Sequence, residues 1–203
     1  MRLLILISAL LFCSTINLKA QDQNTMETLP YHQIPEYPES YSAANVMARM
    51  IDGLGYRYYW ATEDLREEDL SFKVSESSRT SFETIEHIHS LVNTSLKTIK
   101  SEPIVRTAEK EVLDFKTMRH QTLNMLKEAS DRLRSGDITD LSELKLVFKR
   151  DERSSEYEFW HLINGPIADA LWHVGQIVSN RRASGNPLDP TVSVFSGKNR
   201  ARN

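Results

Sequence analysis

From Tyr56 to Ser135 the chain has no glycine and a single proline, Pro103. Strands joined by hairpins would need turn residues at regular intervals, and this stretch does not supply them. Its apolar residues recur at helical spacing instead. Phe82, Ile85, Ile88, Val92, Leu96 and Ile99 share one face of a helix expected over 81–100. Phe115, Met118, Thr122, Met125, Leu126, Ala129 and Leu133 do the same over 107–134, where Gly136 is the stop. Upstream, Val46, Met47, Met50, Ile51, Leu54 and Tyr58 mark a first helix over 41–62, with Ser40 or Ser42 as its N-cap. Gly53 and Gly55 within it leave room for a neighbour to approach closely. "ELKLVFKR" (143–150) alternates apolar and polar residues, as a short extended piece would. The last helical region is expected from Ser154 or Ser155, broken or kinked at "NGP" (164–166), and resumed from Pro166 to Arg182. The expectation is an all-α fold, a four-helix bundle over 41–184. An extended arm carrying Pro30, Pro35 and Pro38 precedes it over 21–40, and an extended C-terminal tail follows over 185–203.

The first residues read differently. Arg2, the apolar run from Leu3 to Phe12 and the polar stretch ending at Ala20 have the form of a secretory signal peptide over 1–20, cut after Ala20. The apolar run is too short to be a membrane span, which needs about 20 residues. Phe12 precedes Cys13 where a lipoprotein signal wants a small residue, so export to the periplasm or beyond without lipidation is expected. Cys13 is the only cysteine, so the mature chain would hold no disulfide, thiolate nucleophile or cysteine metal ligand. Loss of Arg2 and Lys19 would take the net charge from −3 to −5. An acidic chain of this kind has no electrostatic case for a nucleic-acid partner.

The stretch with most chemistry is "ADALWHVGQI" (168–177). Asp169, His173 and Gln176 stand at i, i+4 and i+7, so they form one polar seam along an otherwise apolar helix. A carboxylate and an imidazole at i, i+4 can reach one cation, though such a pair is also an ordinary intrahelical ion pair. A metal site in a bundle needs a further ligand from a facing helix, and "IEHIHSL" offers His87 and His89. On a helical wheel centred on the inward apolar residues, His89 lies about 50° from the centre and His87 about 150° away. No Gly-x-Ser-x-Gly element points to a serine nucleophile.

With "TSFETIEHI" on one helix and "ADALWHVGQI" on the last, the chain resembles the DinB/YfiT-like superfamily of metal-binding four-helix bundles over about residues 41–184. The family places one histidine on the second helix and "H-x-x-x-H-x-x-Q-I" on the last. His87 matches the first position, His173 the final histidine, and Gln176 and Ile177 follow in register, while Asp169 stands where the family has histidine. The resemblance therefore implies His87, Asp169 and His173 as ligands of a divalent metal (zinc, nickel, iron or manganese), with His89 held in reserve. It further implies Lewis-acid chemistry on a small-molecule substrate, as in a transferase or hydrolase, and a tendency to form a homodimer. Gln176, Tyr58 and Arg57 are the residues expected to position that substrate. The alternative is a non-enzymatic envelope protein that binds metal or ligand and has lost its catalytic site.

Overall fold

The computed structural model describes residues 28–105 and 111–202. The expected signal peptide, the beginning of the arm and the expected helix start at Thr107 fall outside the described residues. Four long helices dominate: α1 (Ala43–Thr62), α3 (Ser81–Ile99), α4 (Phe115–Arg134) and α6 (Ala168–Ala183). Two short ones, α2 (Glu67–Ser71) and α5 (Phe159–Leu162), stand between them. No described helix is long and apolar enough to cross a membrane.

Side chains close the starts of three of the four long helices, α1, α3 and α4. Ser42 Oγ accepts from Asn45 N at 3.2 Å and begins α1. Thr80 and Glu83 cap each other at the start of α3, which holds the Glu83 carboxyl below its usual range. Asp114 accepts from Thr117 N at 2.8 Å, so α4 begins at Phe115, and Glu111–Asp114 precede it without helical structure.

Each long helix packs against two others: α1 on α4 and α6, α3 on α4 and α6. Ile51, Leu54, Tyr58 and Ala61 of α1, with Leu123, Leu126, Ala129 and Leu133 of α4, are almost wholly buried. Burial of each large aliphatic side chain here contributes about 1.5–3 kcal/mol. The arm is anchored in this core. Tyr31 is buried, donates to Asp52 Oδ1 at 3.1 Å, and lies against Gly55, where an added Cβ would stand 2.5 Å from the ring. Asp52 is wholly buried and paired with Arg134.

The chain is mostly helical rather than all-α, because it also carries a small sheet, one strand between α3 and α4 and two between α4 and α5. Strands β1 (Ile104–Val105), β2 (Lys145–Arg150) and β3 (Arg153–Glu158) are ordered β1-β2-β3, the first pair parallel and the second antiparallel. The alternating segment 143–150 thus supplies β2, with Leu146 buried. The expected helix start at Ser154 or Ser155 is replaced by β3, which pairs with β2 across a tight turn at Asp151 and Glu152. Every residue of β3 is exposed, so no buried stripe drives it toward helix, and the neighbouring strand satisfies its backbone.

Pro166 does not break the last helix. Residues Ile163–Ile167 form a π-helical turn, in which Ala168 N–H reaches back to Ile163 O. Proline has no N–H to place, and the wider turn moves its ring away from the carbonyl it would otherwise strike. The helix continues into α6, where Arg181 is buried and donates to Trp60 O at 2.9 Å and Ala61 O at 3.2 Å, tying the two helix ends together. Gly185 then takes φ +82°, a backbone conformation that favours glycine, and the helix stops.

Candidate metal centre

The site sits between α3 and α6. Asn180 donates to Ser81 Oγ at 3.2 Å near the start of α3 and the end of α6. The two helices run antiparallel from that link, so roughly two turns further along His87 stands opposite His173 and Asp169. The Asp169 carboxylate lies between the two imidazoles. Its Oδ2 is 3.1 Å from His87 Nε2 and its Oδ1 is 3.3 Å from His173 Nε2. The two rings meet nearly edge to face, with centroids 4.7 Å apart at 83°.

One ligand atom from each of the three residues lies within 4.8 Å of the others. Ligands at about 2.0–2.2 Å from a tetrahedral zinc stand about 3.3 Å from one another, so small side-chain shifts would bring these three onto one ion. Side-chain exposure is 13 % for His173, 31 % for His87 and 39 % for Asp169. One imidazole is therefore held in the packing while the carboxylate faces water, leaving an approach for a solvent molecule or a small substrate.

Gln176 sets the direction of His173. Its Oε1 lies 2.7 Å from His173 Nδ1. An amide oxygen only accepts, so Nδ1 carries a proton and Nε2 is the nitrogen that faces the Asp169 carboxylate. At 3.3 Å from that carboxylate oxygen, Nε2 is placed to share a cation with it, a proton or a metal ion. That outer hydrogen bond is the arrangement found behind metal-bound imidazoles generally.

The structure thus brings together His87, Asp169 and His173 and leaves other expected residues elsewhere. His89 points to α4, where its Nδ1 is 2.9 Å from Thr122 Oγ1. Tyr58 is wholly buried in the core, so it does not position a substrate at this site. Its hydroxyl lies near Thr122 without making a hydrogen bond, and burial pushes its pKa up. Arg57 donates to Gly53 O at 2.9 Å and lines a different cavity. Gln176 is at the site, where its side chain is the partner of His173. The i, i+3 spacing of these two residues was the signal for that role.

No family model, curated protein or solved structure matches this chain.

Proposed function

We propose that the chain is an exported, DinB/YfiT-like four-helix-bundle protein that holds a divalent ion at His87 Nε2, His173 Nε2 and the Asp169 carboxylate, and acts as a metal-dependent transferase or hydrolase on a small molecule. The observation carrying this reading is that two imidazoles from two helices converge on one carboxylate, with the tautomer of one fixed by Gln176. Four long helices, each packed on two others, support the bundle assignment. The apolar run and Ala20 at the start of the sequence support export.

Two nitrogens and one carboxylate oxygen suit zinc, nickel, iron(II) or manganese, and the carboxylate favours the harder of these. When bound, such an ion acts as a Lewis acid that lowers the pKa of a coordinated water or thiol. The residues of the chain hold and orient it. His173 is locked by Gln176 and by burial, His87 is presented from α3, and Asp169 supplies the negative charge that two neutral imidazoles lack.

A second reading, a metal- or ligand-binding protein without catalysis, is favoured by one detail: the Asp169 carboxylate lies within reach of both imidazoles, so the three residues already partner one another. Metal analysis of protein purified without a histidine tag separates the readings from a site of no consequence. One ion per chain, lost in His173→Ala, is expected. Turnover of ester or thiol substrates by wild type and not by Asp169→Ala distinguishes the enzyme from the binding protein. An ion-free protein whose melting temperature ignores chelators rules out the metal site in either reading.

A further inference from the structure

α6 has a second functional face. Leu171, Gly175, Val178 and Arg182 lie roughly 140–200° around the helix from His173, at about 100° per residue. They form one wall of a cavity of about 1140 Å³, larger than the roughly 300–1,000 Å³ of ordinary ligand pockets. The stripe of α1 containing Met50 and Arg57 is the second wall, and residues 187–200 are the third.

The third wall is built in place. Ile34 N donates to Gly197 O at 2.8 Å, Tyr56 Oη donates to Asn199 Oδ1 at 2.9 Å, and Ser193 N donates to Tyr56 Oη at 3.3 Å. Gly197 is pressed so closely on Ile34 that an added Cβ would stand 2.1 Å from its Cγ2.

The chemistry of the lining is two-sided. Met50, Leu171, Val174, Val178 and Val192 are apolar, while four arginines, Arg49, Arg57, Arg182 and Arg200, also face the cavity. The chain as a whole is acidic, with net charge −3. One carboxylate lines the cavity, Asp189, and it is already engaged by Thr191 and Arg202, which with the Thr191 N–H hold its pKa down to about 2. Arg49 and Arg57 each spend one N–H on a backbone carbonyl. The Arg182 and Arg200 guanidiniums have no hydrogen-bond partner among the described residues. Guanidiniums beside an apolar wall match a ligand with an oxyanion at one end and hydrocarbon at the other.

We propose that this cavity binds a single-headed anionic amphiphile, its carboxylate or phosphate held by the arginines and its alkyl chain laid between α1 and α6. The site is independent of the metal centre.

The test is calorimetric titration of the full chain with dodecanoate, dodecyl phosphate and dodecyltrimethylammonium, each below its micelle concentration. Saturable one-to-one binding of an anion, at least tenfold tighter than that of the cation, is expected. The tighter of the two anions identifies the source, a free fatty acid for the carboxylate or a phospholipid-type head for the phosphate. Gly175→Phe should weaken binding at least fivefold by placing a ring on the α6 wall where the alkyl chain would lie. A Cβ at Gly175 meets no atom within 4 Å, so the fold should tolerate the change. If Gly175→Phe nonetheless folds poorly, Arg182→Gln at an exposed position decides, with an expected loss of at least fivefold in affinity. Asp169→Ala should leave affinity unchanged, so loss of the metal reading would not remove this one. Absence of saturable binding by either anion at about 1 mM, equal binding of the cation, or full affinity in both cavity variants overturns the proposal.

Discussion

Gln176→Leu offers the sharpest test of the metal centre, because it alters no ligand. The substitution removes the acceptor 2.7 Å from His173 Nδ1 and leaves the backbone of α6 and the three ligand residues in place. Without that acceptor the ring is free to place its proton on either nitrogen and to rotate. Both changes weaken Nε2 as a ligand. Loss of such an outer hydrogen bond costs about 10–100-fold in metal affinity, which is about 1.4–2.8 kcal/mol. Gln176 is exposed, so its removal should cost little fold stability, and the loss should appear in binding alone. The assay is competition for zinc against a chromophoric chelator, with wild type, Gln176→Leu and Gln176→Glu compared at one pH. Gln176→Glu keeps an acceptor and adds charge, so it should bind at least as tightly as wild type. If Gln176→Leu binds zinc within twofold of wild type, or Gln176→Glu is weakened as much as Gln176→Leu, the argument from the fixed tautomer is refuted.

Further outcomes are expected elsewhere in the molecule. Gly55→Ala should destabilise the fold by about 1–3 kcal/mol in chemical denaturation, since its Cβ would strike the Tyr31 ring, and the effect should shrink in a Tyr31→Ala background. Tyr58→Phe should leave stability unchanged or raise it by up to about 1 kcal/mol, because it removes a buried hydroxyl without a hydrogen bond. His89→Gln should leave metal affinity unchanged in the same chelator competition, its ring being turned toward Thr122. Asp69 is buried, and Arg66, with Ser184, the Arg66 N–H and Asn186, holds its carboxyl well below the usual range. Its folded pKa is depressed, so its contribution is present above the unfolded value of about 3.9 and is lost as pH falls through the folded value. Acid unfolding of Asp69→Asn followed by circular dichroism should therefore start from lower stability at neutral pH and fall less steeply below about pH 4.

The long helices were legible because each buries a stripe spaced at helical intervals, as Ile85, Ile88, Val92, Leu96 and Ile99 do in α3. Strand β3 was not, because its six residues are all exposed and its structure comes from pairing with β2, a partner outside its own sequence. Asp169 and His173 were readable as a pair because one helix carries both. The choice between His87 and His89 was harder. A wheel with one inward centre describes a helix packed on a single neighbour, whereas α3 turns His89 toward α4 and His87 toward α6. The resemblance to a known motif therefore pointed to the histidine that stands beside Asp169 and His173, where periodicity pointed to its neighbour. The arginine-lined cavity left no local pattern, since Arg57, Arg182 and Arg200 come from three separate segments.

The π-helical turn at Ile163–Ile167 has a consequence for aim. Such a turn holds one residue more than an α-turn, so it rotates everything after it by about 100° relative to a continuous helix. Before the turn, Phe159 and Leu162 mark the buried side, and after it the buried side is marked by Ile167, Ala170, Val174 and Ile177. A continuous α-helix from Phe159 would place Pro166 and His173 toward the centre of the core and turn Val174 outward. The extra residue moves His173 to the edge of the packing, where it meets His87 and still touches water. Deleting one residue from this turn would turn Asp169 and His173 a whole helical step away from His87 while leaving all three in the chain. The meeting of His87, Asp169 and His173 is thus set by the length of a segment that contains none of the three.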